Sequence, residues 1–127
     1  MTMVLADTSV WVAHFRKANS VLETLLLNDQ IFCHPLVILE IACGSPPSPR
    51  AKTLYYLRGL QQAKVATSTE ILEFIEKNRL FDSDCGAVDL SLLASSLISE
   101  NTLLWTLDKQ LDSLALPLGI SYNSQLH

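Results

Sequence analysis

The chain has 127 residues, 49% hydrophobic and 17% charged, which is enough apolar side chain for a core and argues against disorder. A single domain of ordinary size spanning 1–127 is therefore the expectation. A formal charge of −4 argues against a broad basic nucleic-acid-binding face but leaves room for bound cations, which reverse the sign locally.

Residues 3–6 form an apolar run with β-branched Val4 and predict a short buried strand ending at Asp7. Thr8 and Ser9 can cap a helix to about Phe15, and Asn19 or Ser20 a second to Leu27. Asn28-Asp29 marks a turn before a second strand, Gln30 to Cys33. Pro35 suits a first helical turn, where its fixed φ and missing N–H cost nothing. That helix carries Glu40 and ends at Gly44. The proline-rich stretch 45–49 breaks any helix, and Arg50 to Leu60 restarts one. A short strand is expected over Ala63–Ala66, then a helix capped by Ser68 or Thr69 and running to about Leu80. After a turn at Phe81–Gly86, the spacing of Leu90, Leu93, Ala94, Leu97 and Ile98 predicts an amphipathic helix with Asp89 in its first turn. Leu103–Thr106 is expected as a strand, with Trp105 in the core. Asp108 opens a short helix to about Leu114, and Leu118–Tyr122 is expected as an edge strand. Short strands alternating with helices imply an α/β fold around a mostly parallel sheet, whose ligands bind beyond the carboxyl ends of the strands.

Four acids stand in or against apolar stretches: Asp7, Glu40, Asp89 and Asp108. A desolvated carboxylate is costly unless it is paired, protonated or bound to a metal, and few basic residues lie beside these four. Hard divalent cations prefer such oxygen ligands. Each acid also has a purely structural explanation. Asp7 and Asp108 can be helix caps, Asp89 a first-turn acid favoured by the helix dipole, and Glu40 a surface residue. His14 and His34 have no partners at metal-ligand spacing. Cys33, Cys43 and Cys85 are odd in number and widely spaced, which fits buried free thiols in a reducing cytoplasm. Neither a signal peptide nor an apolar run of ~20 residues is apparent.

The segments LADTSVWVAHF at 5–15, VILEIACG at 37–44, GAVDLSLLASSL at 86–97 and LLWTLDKQL at 103–111 resemble, in order, four blocks of the PIN-domain proteins. The resemblance is greatest to the VapC-type toxins of bacterial toxin–antitoxin pairs. It implies a PIN-like α/β/α sandwich and makes Asp7, Glu40, Asp89 and Asp108 an acidic site. It further implies one or two Mg²⁺ or Mn²⁺ ions and endonucleolytic cleavage of RNA by a metal-activated water. A small antitoxin and a second copy of the chain are the implied partners. Thr8, Ser9, Thr106 and Asp112 are candidates to support the site, whereas Asp82 and Asp84 fit loop and capping roles. Arg16, Lys17 and Lys109 can meet phosphates or simply be solvated. The chain departs from many relatives in carrying Leu107 where they place a basic residue, and in its proline-rich loop. Competing expectations are a PIN-like binding module without catalysis, a PIN nuclease that is not a toxin, and an aspartyl phosphotransfer domain with Asp7 as nucleophile. The last lacks a second Asp at the two positions after Asp7.

Overall fold

The computed structural model describes residues 1–125. Three parallel strands form the sheet: β1 (Met3–Ala6), β2 (Ile31–Phe32) and β3 (Thr102–Trp105), in the order β2-β1-β3. Strand β1 is central, and Val4, Leu5 and Ala6 on it are buried. Flanking the sheet are α1 (Thr8–Arg16), α2 (Ser20–Leu27), α3 (Pro35–Cys43), α4 (Arg50–Gly59), α5 (Ser68–Lys77), α6 (Ala87–Ile98) and α7 (Lys109–Ala115). Helix α1 packs on α3 and α3 on α4, while α6 lies against β3 and meets α5 and α7. This is the α/β/α layering expected of a PIN-like chain.

The register of β1 with β3 fixes the geometry of one sheet edge. Ala6 pairs with Trp105, so the residues that follow, Asp7 and Thr106, leave the sheet side by side. The Asp7 amide still donates to the Trp105 carbonyl at 2.9 Å. Each strand then turns directly into a helix, α1 after β1 and α7 after β3. Asp7 caps α1 and Asp108 caps α7, with side-chain oxygens accepting first-turn amides.

Several boundaries differ from expectation, for local reasons. Asp7, not Thr8 or Ser9, is the α1 cap, and Thr67, not Ser68 or Thr69, caps α5 through a reciprocal box with Glu70. Residues 63–66 are not a strand. After one bridge between Cys33 and Gln62, the amides of Lys64 and Ala66 turn to the hydroxyls of Ser99 and Ser95. The expected strand at 118–122 is likewise a single parallel bridge, Leu104 to Ser121. Helix α6 is not a simple amphipathic stripe. Leu92, Ser95 and Ser96 are buried, and Leu97 and Ile98 are exposed. The reason is that α6 is covered from several sides, by β3, α5 and α7. Of the three thiols, only Cys33 is buried, where desolvation pushes it up to about 11; Cys43 is exposed and Cys85 half-buried.

His34 has a structural task. It is fully buried and caps α3, its Nδ1 accepting from the Leu36 amide at 3.0 Å. Nδ1 is thereby the acceptor, so Nε2 carries the proton and donates to Ser95 on α6 at 3.0 Å. One side chain thus ties the start of the helix bearing Glu40 to the helix bearing Asp89.

Candidate active site

Asp7 is buried at the carboxyl end of β1, and both of its oxygens are engaged. Oδ1 accepts the Ser9 hydroxyl and the amides of Ser9 (3.0 Å) and Val10 (3.4 Å). Oδ2 accepts the Thr106 hydroxyl at 2.6 Å. Each of these hydroxyls also accepts a backbone amide: Leu107 donates to Ser9 Oγ and Asp108 to Thr106 Oγ1, both at 3.0 Å. A hydroxyl has one proton to give. Both protons are therefore aimed at Asp7, and this pattern favours the ionised carboxylate. Burial opposes it more strongly, so the Asp7 carboxyl lies above its ordinary value of 3.8 despite the hydrogen bonds.

Glu40 is exposed on α3, as its surface explanation required, yet it is not isolated: Thr8 Oγ1 donates to its Oε1 at 2.5 Å. Asp108 accepts the amides of Gln110 (2.9 Å) and Leu111 (3.4 Å) with Oδ1. Asp89 is half-buried in the first turn of α6. Its carboxyl is raised first by desolvation, then by the charges of Asp108, Asp7 and Glu40, against a lowering contact from the Gly86 backbone. The three other acids therefore all act on Asp89 in the same direction.

Of the supporting candidates, Thr8, Ser9 and Thr106 each touch a site acid. Asp112 turns instead to Ser121, whose hydroxyl donates to its Oδ1 at 2.7 Å, and it shares a hollow of about 170 Å³ with Thr106, Asp108, Lys109 and Asn123. Asp82 and Asp84 are exposed in the loop before α6. Arg16 lines a groove of about 510 Å³ that also contains Glu40 and Pro46–Pro47. Cys85 was not singled out for the site by sequence, yet the charges of Asp89 and Asp108 reach it. Desolvation and those charges raise its thiol, which keeps it neutral. A turn cysteine carries no periodic signal that would place it there.

Four carboxylates without histidine or thiolate form a donor set suited to Mg²⁺ or Mn²⁺. Among the described residues, however, no three Asp, Glu, His or Cys side chains stand together as a finished metal cage. Asp7 is engaged on both oxygens, Asp108 caps with one, and Glu40 leans on Thr8. Among the described residues Asp108 Oδ2 and Glu40 Oε2 accept no hydrogen bond, and Asp89 is contacted by the Gly86 backbone. The set fits a hard divalent ion in donor chemistry.

A parallel α/β/α layer with acids gathered at the carboxyl edge of neighbouring strands is the architecture of a PIN-like domain. No protein-family model matches the chain. Two proteins named Ribonuclease VapC32, from Mycobacterium tuberculosis strains CDC 1551 / Oshkosh and ATCC 25618 / H37Rv, are each 41% identical to it over 119 residues. The match covers 94% of this chain and 95% of each relative. The chain belongs to the VapC-type ribonucleases of the PIN-domain family.

Proposed function

We propose that this chain is a metal-dependent endoribonuclease acting as the toxin of a toxin–antitoxin pair. The observation that carries the proposal is the joint carboxyl end of β1 and β3, where Thr106 donates to Asp7 and accepts the Asp108 amide while Thr8, next to Asp7, donates to Glu40; the like charges acting on Asp89 point the same way. Like charges acting on one carboxylate favour a cation or a proton among them. Mg²⁺ or Mn²⁺, held by Asp7, Glu40, Asp89 and Asp108, would supply charge neutralisation at the phosphodiester and activation of water. The chain's own residues prepare that arrangement. The Ser9 and Thr106 hydroxyls favour the ionised form of Asp7 against its burial, the α7 amides orient Asp108, and Thr8 orients Glu40.

Purified protein is expected to cleave RNA with Mg²⁺ or Mn²⁺ and not in excess EDTA, and Asp7→Asn is expected to abolish cleavage while the fold persists. Cleavage at full rate in EDTA refutes the proposal. The absence of a ready-made three-ligand cage favours one other reading, a PIN-like binding module without catalysis. Calorimetry separates the two: uptake of Mn²⁺ supports the nuclease, and no uptake supports the module.

The same proposal gives the chain a small antitoxin whose basic side chain competes for the acidic edge. A homodimer is proposed as well, supported by exposed apolar side chains on α3 and α4, Leu39, Tyr55 and Tyr56. The free thiols support a cytoplasmic setting. No helix among the described residues is long and apolar enough to cross a membrane.

A further inference from the structure

The Thr106–Asp108 turn carries two contributions to the acidic edge, the hydroxyl that donates to Asp7 and the Asp108 carboxylate. The turn begins where β3 ends, so the Thr106 carbonyl has left the sheet ladder. Among the described residues one donor reaches it: the Asn123 side-chain amide, Nδ2 to Thr106 O at 2.7 Å. The segment that leads into Asn123 is tied to β3 and α7. Leu104 donates to Ile120 O at 2.7 Å, and Tyr122 donates to Leu104 O at 2.9 Å. The Tyr122 ring lies 5.2 Å from that of Trp105. Ser121 bonds Asp112 on α7, and Ser124 Oγ donates to Ser121 O at 2.7 Å. Asn123 then opens a short 3₁₀ turn, Asn123–Gln125. The strand, the following helix and the segment after it are thus joined around one carbonyl.

We propose that Asn123 is a positioning residue for the acidic site. Its carboxamide fixes the Thr106 carbonyl, and with it the direction of the Thr106 hydroxyl toward Asp7 and the placement of Asp108. A side-chain donor on a turn carbonyl does what a further strand would do for a ladder residue: it removes the peptide plane's freedom to rotate. Rotation of the 106–107 peptide would swing the Leu107 amide away from Ser9 as well, loosening both hydroxyls that serve Asp7. The consequence for catalysis rests on the nuclease proposal above; the structural claim does not.

Two variants test it. Asn123→Asp keeps the shape and removes the N–H donors, and Asn123→Ala removes the contact altogether. In both, hydrogen exchange at the Leu107 and Asp108 amides is expected to accelerate at least about tenfold, with exchange elsewhere unchanged. Unchanged exchange at these two amides overturns the positioning role, whether or not the protein cleaves RNA. In protein that cleaves, kcat and Mn²⁺ affinity by calorimetry are expected to fall about 10- to 100-fold, with KM for RNA within about twofold. A double-mutant cycle with Thr106→Val is expected to be strongly non-additive in Mn²⁺ affinity, because Asn123 acts through Thr106. Additive effects, or a lowered melting temperature with kcat and Mn²⁺ affinity intact, reduce Asn123 to a stability role and refute the proposal. If the wild type neither binds Mn²⁺ nor cleaves RNA, the nuclease proposal fails and the exchange experiment alone decides for Asn123.

Discussion

Asp7 and Asp89 show two ways in which a fold tolerates a carboxylate in poor solvent. Asp7 is desolvated and answered by donors; Asp89 is less buried and answered by none of the neighbouring side chains, which are themselves acids. The order of the charges acting on Asp89 makes a measurable sequence. Asp108→Asn is expected to bring the Asp89 carboxyl closest to its ordinary value of 3.8, Asp7→Asn less so and Glu40→Gln least. Carboxyl NMR titration in the presence of chelator reads this directly, and an Asp89 carboxyl unmoved in Asp108→Asn would mean that the acids do not share one site. Thr106→Val tests the donors. It leaves the fully buried position filled but strips Asp7 of one hydroxyl and Asp108 of an amide acceptor. A loss of about 1–3 kcal/mol in urea unfolding is expected, the cost of leaving buried polar groups unpaired.

Helices α3 and α6 bring Glu40 and Asp89 to an edge that the strands alone would populate only with Asp7 and Asp108. Their relative placement passes through His34 and Ser95. His34→Ala is expected to cost about 2–4 kcal/mol, combining a cavity with an uncapped helix and an orphaned Ser95 hydroxyl. Folded-state burial lowers the His34 pKa below its ordinary 6.5, so its contribution to stability is present above that value and is lost as pH falls through the folded pKa. Denaturant midpoints between pH 7 and pH 5 check the sign: the gap between wild type and His34→Ala narrows on the acid side. Much of this layer was legible in the sequence. Pro35 at a helix start, Gly44 at its end and the apolar run 3–6 have local causes, and local causes are visible in a linear chain. The misplaced features depend on distant partners. The amides at 64 and 66 turned to Ser99 and Ser95, and His34 acquired its cap role only because α6 brought a serine to its Nε2. Asp7 and Asp108 both cap helices, and a cap at a strand's carboxyl end is also where a ligand-binding acid would stand, so the sequence could not have chosen between the two roles.

At the scale of the whole molecule, a chain of net charge −4 sets Asp89 under the like charges of Asp108, Asp7 and Glu40, and that should appear in its stability. A carboxyl whose folded pKa is raised binds its proton more tightly folded than unfolded. The stability it confers is complete below 3.8 and is lost as pH rises through the folded pKa. Asp7 and Asp89 both have this sign, and His34 has the opposite slope below its ordinary value. Comparing wild type with Asp89→Asn removes the His34 contribution, because both proteins share it. Metal-free Asp89→Asn is expected to melt above wild type near pH 7, where the wild-type carboxylate is charged among like charges. The difference should vanish below pH 3.8, where Asp89 is neutral in folded and unfolded chains alike. Divalent cations should stabilise the two proteins to different extents. At about 100 times its Kd, Mg²⁺ adds about 2.7 kcal/mol to any protein that binds it only when folded. Wild type should therefore gain melting temperature at neutral pH and lose that gain in acid, as protons displace the metal. Asp89→Asn, short of one ligand, should gain less. A wild-type melting temperature indifferent to Mg²⁺ and Mn²⁺ at neutral pH would leave the acids electrostatically coupled but without a metal to hold, and would turn the interpretation of this edge from catalysis to binding.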